Sequence, residues 1–272
     1  MTMYNSFASV YDKLMDQVPY EEWCGYIAKT LRNSGIEDGL ILDLGCGTAQ
    51  ATVILDRMGY DMIGVDGSEE MLMQAREKMD DGQRGSILLL NQDMREFELY
   101  GTVRAVVCMC DTLNYCESEE DLLQVFRLVN NYLDPGGVFL FDLNTVHKYR
   151  DILGDNVFAV SGEDCAYIWE NSWFEEEQVN EYDLTLFIGQ EDDPETFTRH
   201  RELHVQRAFL DETVRSLLAR AGLKLVQVTQ AYTGEPFTDQ SERVLYVARE
   251  QTKEARIKEA QTKEAQTKEM WT

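Results

Sequence analysis

Four acidic residues stand at the ends of apolar, strand-like runs around one glycine-rich turn, Asp43-Leu44-Gly45-Cys46-Gly47-Thr48. Two glycines allow a sharp turn and close approach of a ligand, and the next helix offers free N–H groups. Asp66 ends the following run, with Gly67 and Ser68 behind it, where a carboxylate can accept both hydroxyl protons of a ribose. Asp93 follows a third run, placed for an exocyclic amine of adenine, with Met94 to cover the ring. Cys110 and Asp111 follow a fourth, at the mouth of the same site. Open α/β sheets bind ligands at the carboxyl ends of their strands. One aspartate after a strand is an ordinary turn or cap residue; four stations in succession are not. The nicotinamide fingerprint G-x-G-x-x-G is unmet, because Gln50 stands where its third glycine would be.

Candidate acid–base groups are fewer. His147, just past the fifth strand, is the best-placed base by position, and it reads equally well as a surface histidine at a helix end. Tyr115 and Trp23 could line a cation-accepting aromatic pocket or belong to the core. His200 and His204 would share one strand face, expected to be a solvated edge, with a substrate wall as the alternative. Cys108-x-Cys110 with Cys116 lacks a second matched pair, so no metal site is expected.

These residues need elements to hold them. Tyr11, Leu14, Met15 and Val18 fall at helical spacing before Pro19, and a second helix is predicted over 21–33. Strands over 39–44, 62–65, 87–90, 103–109 and 138–143 then alternate with helices, one starting near Thr52, one capped by Ser68 and one opened by Ser118 and Asp121. Near-continuous apolar strands between helices imply a parallel sheet covered on both faces. From about 156 to 209 the pattern becomes short alternating runs, an antiparallel insertion of about four strands with turns at 175–177 and 191–194. A helix capped by Asp211 and two strands, 223–229 and 243–248, close the pattern and could pair antiparallel. The tail from Gln251 repeats Gln-Thr-Lys-Glu-Ala, whose five-residue period forms no apolar stripe.

Composition narrows the function classes. The 272 residues carry a formal net charge of −25, which repels phosphate backbones and speaks against nucleic acid as a partner. No apolar run reaches the roughly 18 residues of a membrane span. The first residues have no basic and apolar signal regions, and the six cysteines fit buried reduced thiols, so a cytoplasmic protein is expected.

With these motifs in place, the sequence resembles the class I S-adenosylmethionine (SAM) dependent methyltransferases over 11–143 plus the last helix and two strands. The resemblance implies a Rossmann-like, doubly wound seven-stranded α/β sheet. It implies SAM as cofactor, its methionine part on Asp43, Gly45, Cys46 and Gly47, its ribose on Asp66 and its adenine on Asp93 and Met94. Ala49 stands where the family commonly has a third glycine. The opening Phe7-Ala8-Ser9-Val10-Tyr11-Asp12-Lys13-Leu14-Met15 is similar to the lid helix of small-molecule N-methyltransferases acting on glycine or amino sugars, where a tyrosine like Tyr11 covers the methionine end. The expected organisation is an N-terminal lid (1–36), the SAM-binding domain (37–146 and 208–250), a substrate-covering antiparallel insertion (147–207) and the tail (251–272). The Asn/Asp-Pro-Pro-Tyr motif of nucleobase amino-methyltransferases is absent; Asp111-Thr112-Leu113-Asn114-Tyr115 stands there instead. The expected activity is methylation of a small molecule, at nitrogen. An RNA or protein methyltransferase, an aminopropyl transferase and a non-catalytic SAM-binding protein remain alternatives, and the oligomeric state is open.

Overall fold

The computed structural model describes residues 8–79, 87–190 and 193–253. Along the chain run α1 (Ala8–Leu14), α2 (Tyr20–Asn33), β1 (Leu40–Leu44), α3 (Gln50–Arg57), β2 (Asp61–Asp66), α4 (Glu69–Lys78), β3 (Leu88–Asn91), β4 (Val103–Cys108), α5 (Glu119–Tyr132) and β5 (Leu133–Asn144). Four successive strands follow, β6 (Val157–Ser161), β7 (Cys165–Phe174), β8 (Val179–Gln190) and β9 (Asp193–Arg207). Then come α6 (Asp211–Arg220), β10 (Leu223–Gln230) and β11 (Arg243–Glu250).

The first sheet has seven strands in the order β10-β11-β5-β4-β1-β2-β3. Strands β1 to β5 are parallel, and β11 runs antiparallel to both β5 and β10. Strand order reverses between β1 and β4, which opens a crevice at their carboxyl ends. Alternation along the strands divides the core. Leu42, Val106 and Phe141 face α5 and α6 through Phe126 and Leu217, whereas Ile41, Val107 and Leu140 face α2 and α3 through Ile27 and Ile54. Each buried side chain of this size contributes about 1.5–3 kcal/mol. Phe139, Phe141 and Tyr246 stack at 4.6 and 5.0 Å along the first of these faces.

Local chemistry explains most boundaries. Ser68 caps α4 by accepting the Met71 N–H at 3.2 Å, and Ser118 caps α5 through the Asp121 N–H at 3.1 Å. Several expectations are corrected. The first helix closes at Leu14, so Met15 and Val18 lie in the turn before Pro19. Helix α3 begins at Gln50 rather than Thr52. Strand β5 starts at Leu133, running through Pro135 with a register irregularity opposite Val103 and Ala105, where a residue without an N–H is tolerated. Asp211 is the first residue of α6 and not its cap; its carboxylate accepts from Arg215 and from Tyr246.

The second sheet has the order β6-β7-β8-β9, all antiparallel, with a turn at 175–178. Its inner face packs Leu184 and Leu186 against Val10 of α1. A π-helical turn, Lys148–Leu153, joins the two sheets and buries Tyr149 beneath β7. Phe7, residues 191 and 192 of the 191–194 turn and the tail from 254 lie outside the described residues. No helix among the described residues is long and apolar enough to cross a membrane.

Candidate active site

A cavity of about 980 Å³ lies over the carboxyl ends of β1, β2 and β4, between the seven-stranded sheet, α1 and the second sheet. It is lined by all the residues proposed from sequence for a cofactor: Tyr11, Asp43, Gly45, Cys46, Gly47, Asp66, Gly67, Ser68, Asp93, Met94, Cys110 and Asp111. Tyr115 lines it as well.

The glycine turn is needed sterically. Gly45 sits at φ +78°, and a Cβ there would stand 2.2 Å from the Thr112 side chain. Gly47, at φ +54°, faces open space. Ala49 also takes a left-handed conformation, φ +61°, at the position where the family pattern has glycine. Asp66 accepts the Gly47 N–H at 2.7 Å with one oxygen and the Ser68 N–H at 2.8 Å with the other. Each oxygen keeps acceptor capacity for a vicinal diol. Burial pushes the Asp66 pKa up, and these two N–H groups pull it back. Asp43 is fully enclosed and accepts the Thr52 hydroxyl at 2.6 Å; burial raises its pKa to about 6.

Asp93 differs from expectation. Its carboxylate is gripped by the Arg95 guanidinium, Nε to Oδ1 at 2.9 Å and Nη2 to Oδ2 at 2.6 Å, and Oδ1 also accepts the Arg95 N–H at 2.8 Å. The guanidinium holds this carboxyl below the usual carboxylate range. An adenine amine would have to share or displace those bonds, so Met94 is the better-placed of the pair.

At the other end of the crevice stands a charged cluster that sequence reading missed. Asp142, buried inside β5, accepts the N–H groups of Cys110 at 3.0 Å and Asp111 at 2.7 Å. Both of those residues are left-handed, at φ +56° and +54°, so the carboxylate holds a strained turn in place. Arg243, at the start of β11, bridges Asp142 at 2.8 Å and Asp111 at 2.7 Å, and Tyr232 donates its hydroxyl to Asp142. A lone aspartate in the apolar run Val138-Phe139-Leu140-Phe141-Asp142-Leu143 was the available signal, since a buried charge demands a partner.

The second sheet supplies the far wall through Tyr167, Trp169, Tyr182, His204 and Gln206. Gln206 donates to Asp111 at 2.7 Å and accepts from Tyr149 at 2.8 Å and Tyr182 at 2.6 Å. His204 is buried, 3% exposed, which overturns the solvated-edge expectation. The hairpin register places it opposite Tyr182, facing inward. His147 is not among the residues lining the cavity. Its Nδ1 lies 2.8 Å from Asp151, one turn along, so it is a paired helix-end histidine rather than a base in the site. Trp23 is also elsewhere, stacked on Tyr232 at 4.3 Å with Arg243 over its ring.

Helix α1 is tied down by Asp12, which accepts the Thr48 hydroxyl at 2.7 Å and pairs with Lys78 of α4. Lys78 also donates to the Thr48 carbonyl at 3.1 Å. Tyr11 hydrogen-bonds Tyr20, whose hydroxyl stands 3.9 Å from the Cys110 sulfur.

A methyltransferase-domain family model matches residues 41–137. A solved SAM-dependent methyltransferase from Clostridium acetobutylicum superposes with a TM-score of 0.82 at 28% identity, covering 92% of this chain and all of that one. The chain is 37% identical over 249 residues to YqeM of Bacillus subtilis, named as a methyltransferase, covering 91% of this chain and 97% of that protein. The chain belongs to the SAM-dependent methyltransferases. SAM is therefore the cofactor of this methyltransferase, and the cradle fits it: an open glycine turn, a diol-ready carboxylate at Asp66 and an acidic lining for a cationic ligand. A cavity this large leaves room for a second reactant beside the cofactor. The dTDP-3-amino-3,4,6-trideoxy-alpha-D-glucopyranose N,N-dimethyltransferase of Streptomyces venezuelae is 31% identical over 116 residues, 43% of this chain and 47% of that one.

Proposed function

We propose that this methyltransferase transfers the methyl group to an amine nitrogen of a small-molecule acceptor. The observation that carries the reading is the second sheet: it roofs the cavity with aromatic and polar side chains, so that an acceptor must enter a chamber rather than lie on an open face. The amino-sugar relative supports nitrogen as the target. The net charge of −25 disfavours a nucleic-acid acceptor. Unpaired thiols at all six cysteines and the absence of a membrane-spanning helix among the described residues support a cytoplasmic setting.

In this reading residues 147–207 form the acceptor cover, 1–36 the lid, and 37–146 with 208–250 the cofactor domain. When bound, SAM supplies an electrophilic methyl carbon on a sulfonium. The protein's part is alignment and exclusion of water. The turn from Asp43 to Gly47 takes the methionine end, closed by Tyr11; Asp66, flanked by Gly67 and Ser68, takes the ribose; Met94 lies against the adenine; Cys110 and Asp111 border the reacting centre.

Calorimetric titration with SAM and S-adenosylhomocysteine, alongside Asp66→Ala, tests the cofactor assignment. Loss of two hydrogen bonds to a charged acceptor predicts roughly 10- to 100-fold weaker binding in the variant. Unchanged affinity would remove Asp66 from the site. Screening amines for S-adenosylhomocysteine release tests the acceptor class, and turnover confined to oxygen or carbon acceptors would overturn it.

A further inference from the structure

We infer that Tyr115, His204 and Glu202 form a proton relay that takes the proton released when an acceptor amine is methylated; this rests on the amine reading above. Tyr115 closes the short 3-10 turn Thr112–Tyr115 directly after the strained Cys110-Asp111 pair, and its ring lines the cavity. Its hydroxyl lies 3.1 Å from His204 Nδ1. On the other side of the imidazole, His204 Nε2 lies 3.5 Å from Glu202 Oε2. The histidine and glutamate side chains are only 4% and 10% exposed, so the pair points inward from β9. Residues two apart on one strand share a face, which is why a single strand can present both links.

Burying a histidine beside a carboxylate is costly unless the two are paired and hydrogen-bonded. Here the order of groups runs from cavity to interior as phenol, imidazole, carboxylate. The Glu202 carboxylate, 3.5 Å away and without hydrogen-bond geometry, favours a proton on the facing Nε2 by its charge, and the relay takes Nδ1 as acceptor for the phenol proton. The phenol oxygen then has a lone pair directed to an amine in the cavity. Tyr182 faces His204 from β8, Tyr149 and Asp111 stand behind Gln206, Tyr11 of α1 faces Tyr115, and His200 lies two positions before Glu202 on the same face of β9; these are titratable groups near the relay.

The step balances. The amine lone pair forms the N–C bond, and the S–C bonding pair leaves with sulfur. The N–H proton passes to Tyr115 Oη as the phenol proton passes to His204 Nδ1, giving an imidazolium paired with Glu202. On product release the proton returns along the same path and leaves to entering water. Tyr115 is the catalytic residue of this arrangement, and His204 and Glu202 are positioning residues that act through it.

The chain has three histidines, which makes ¹⁵N-histidine NMR of the whole protein directly readable. At neutral pH the His204 ring is expected as the neutral Nε2–H tautomer, with its Nδ1 resonance moved by Tyr115→Phe. An Nδ1–H tautomer or an imidazolium in the resting protein would overturn the relay, because Nδ1 could not then accept. Turnover with glycine and benzylamine as probes gives the second readout. Tyr115→Phe and His204→Asn are expected to lower kcat about 10²-fold and abolish the solvent deuterium isotope effect, with KM little changed. A change in KM alone would make the pair structural and overturn the proposal. If SAM binds and neither amine is methylated, the acceptor screen above decides the amine reading, and the tautomer decides the relay independently.

Discussion

Asp43 shows how one enclosed carboxyl can make stability depend on pH. Its folded pKa of about 6 lies above the unfolded value of roughly 3.9, so the native state binds more protons between those values. Its favourable contribution is full below the unfolded pKa and is lost as pH rises through about 6, a cost of about 3 kcal/mol at neutral pH. The urea midpoint of the wild type, minus that of Asp43→Asn, is expected to fall between about pH 4 and pH 6.5; a flat difference would show that the carboxyl is not enclosed. Arg243 works in the opposite sense, neutralising Asp111 and Asp142 together. Arg243→Met leaves two facing carboxylates and is expected to cost about 3–5 kcal/mol in chemical denaturation. A loss below about 1 kcal/mol would show that Tyr232 and the backbone N–H groups suffice to hold Asp142.

Helix α1 has seven residues, too short to persist alone in water, so its position depends on what it touches. One side meets Leu184 and Leu186 of the second sheet; the other is pinned by Asp12 to Thr48 and Lys78. Asp12 therefore links lid, glycine turn and α4. Asp12→Ala is expected to weaken SAM binding about fivefold, on the order of 1 kcal/mol, without unfolding the sheet. Titration calorimetry with a thermal melt separates the two effects, and equal SAM affinity in both proteins would deny α1 its role as a lid. The helical spacing of Tyr11 and Leu14 was legible in the sequence. The Asp12 bridge was not, because its partners lie far along the chain.

The whole molecule carries a charge of −25 at neutral pH, and the resulting self-repulsion opposes compaction. Screening should relieve it. Raising NaCl from about 20 mM to about 0.5 M is expected to raise the urea midpoint, since the Debye length drops well below the separation of most surface charges. A fall would mean that ion pairs such as Arg95–Asp93 and Arg215–Asp211 outweigh the repulsion. At this scale the two sheets have distinct duties in the proposed reaction. The parallel one presents a cofactor cradle at its switch point, and the antiparallel one closes the chamber over it.

Sequence alone determined the alternation of strands and helices, the glycine turn, the aspartate stations and the four-stranded insertion. Each of these is written in local periodicity or in a turn whose residues are contiguous. Tertiary structure decided what those residues meet. Arg95 captured Asp93, Asp151 captured His147, and His204 turned inward to face Tyr115 because the hairpin register set it opposite Tyr182. Asp142 and Arg243 are 101 positions apart, and no local pattern joins them. Side-chain pairing across a sheet depends on strand order and register, which hydrophobic alternation restricts to a face but does not assign to a neighbour.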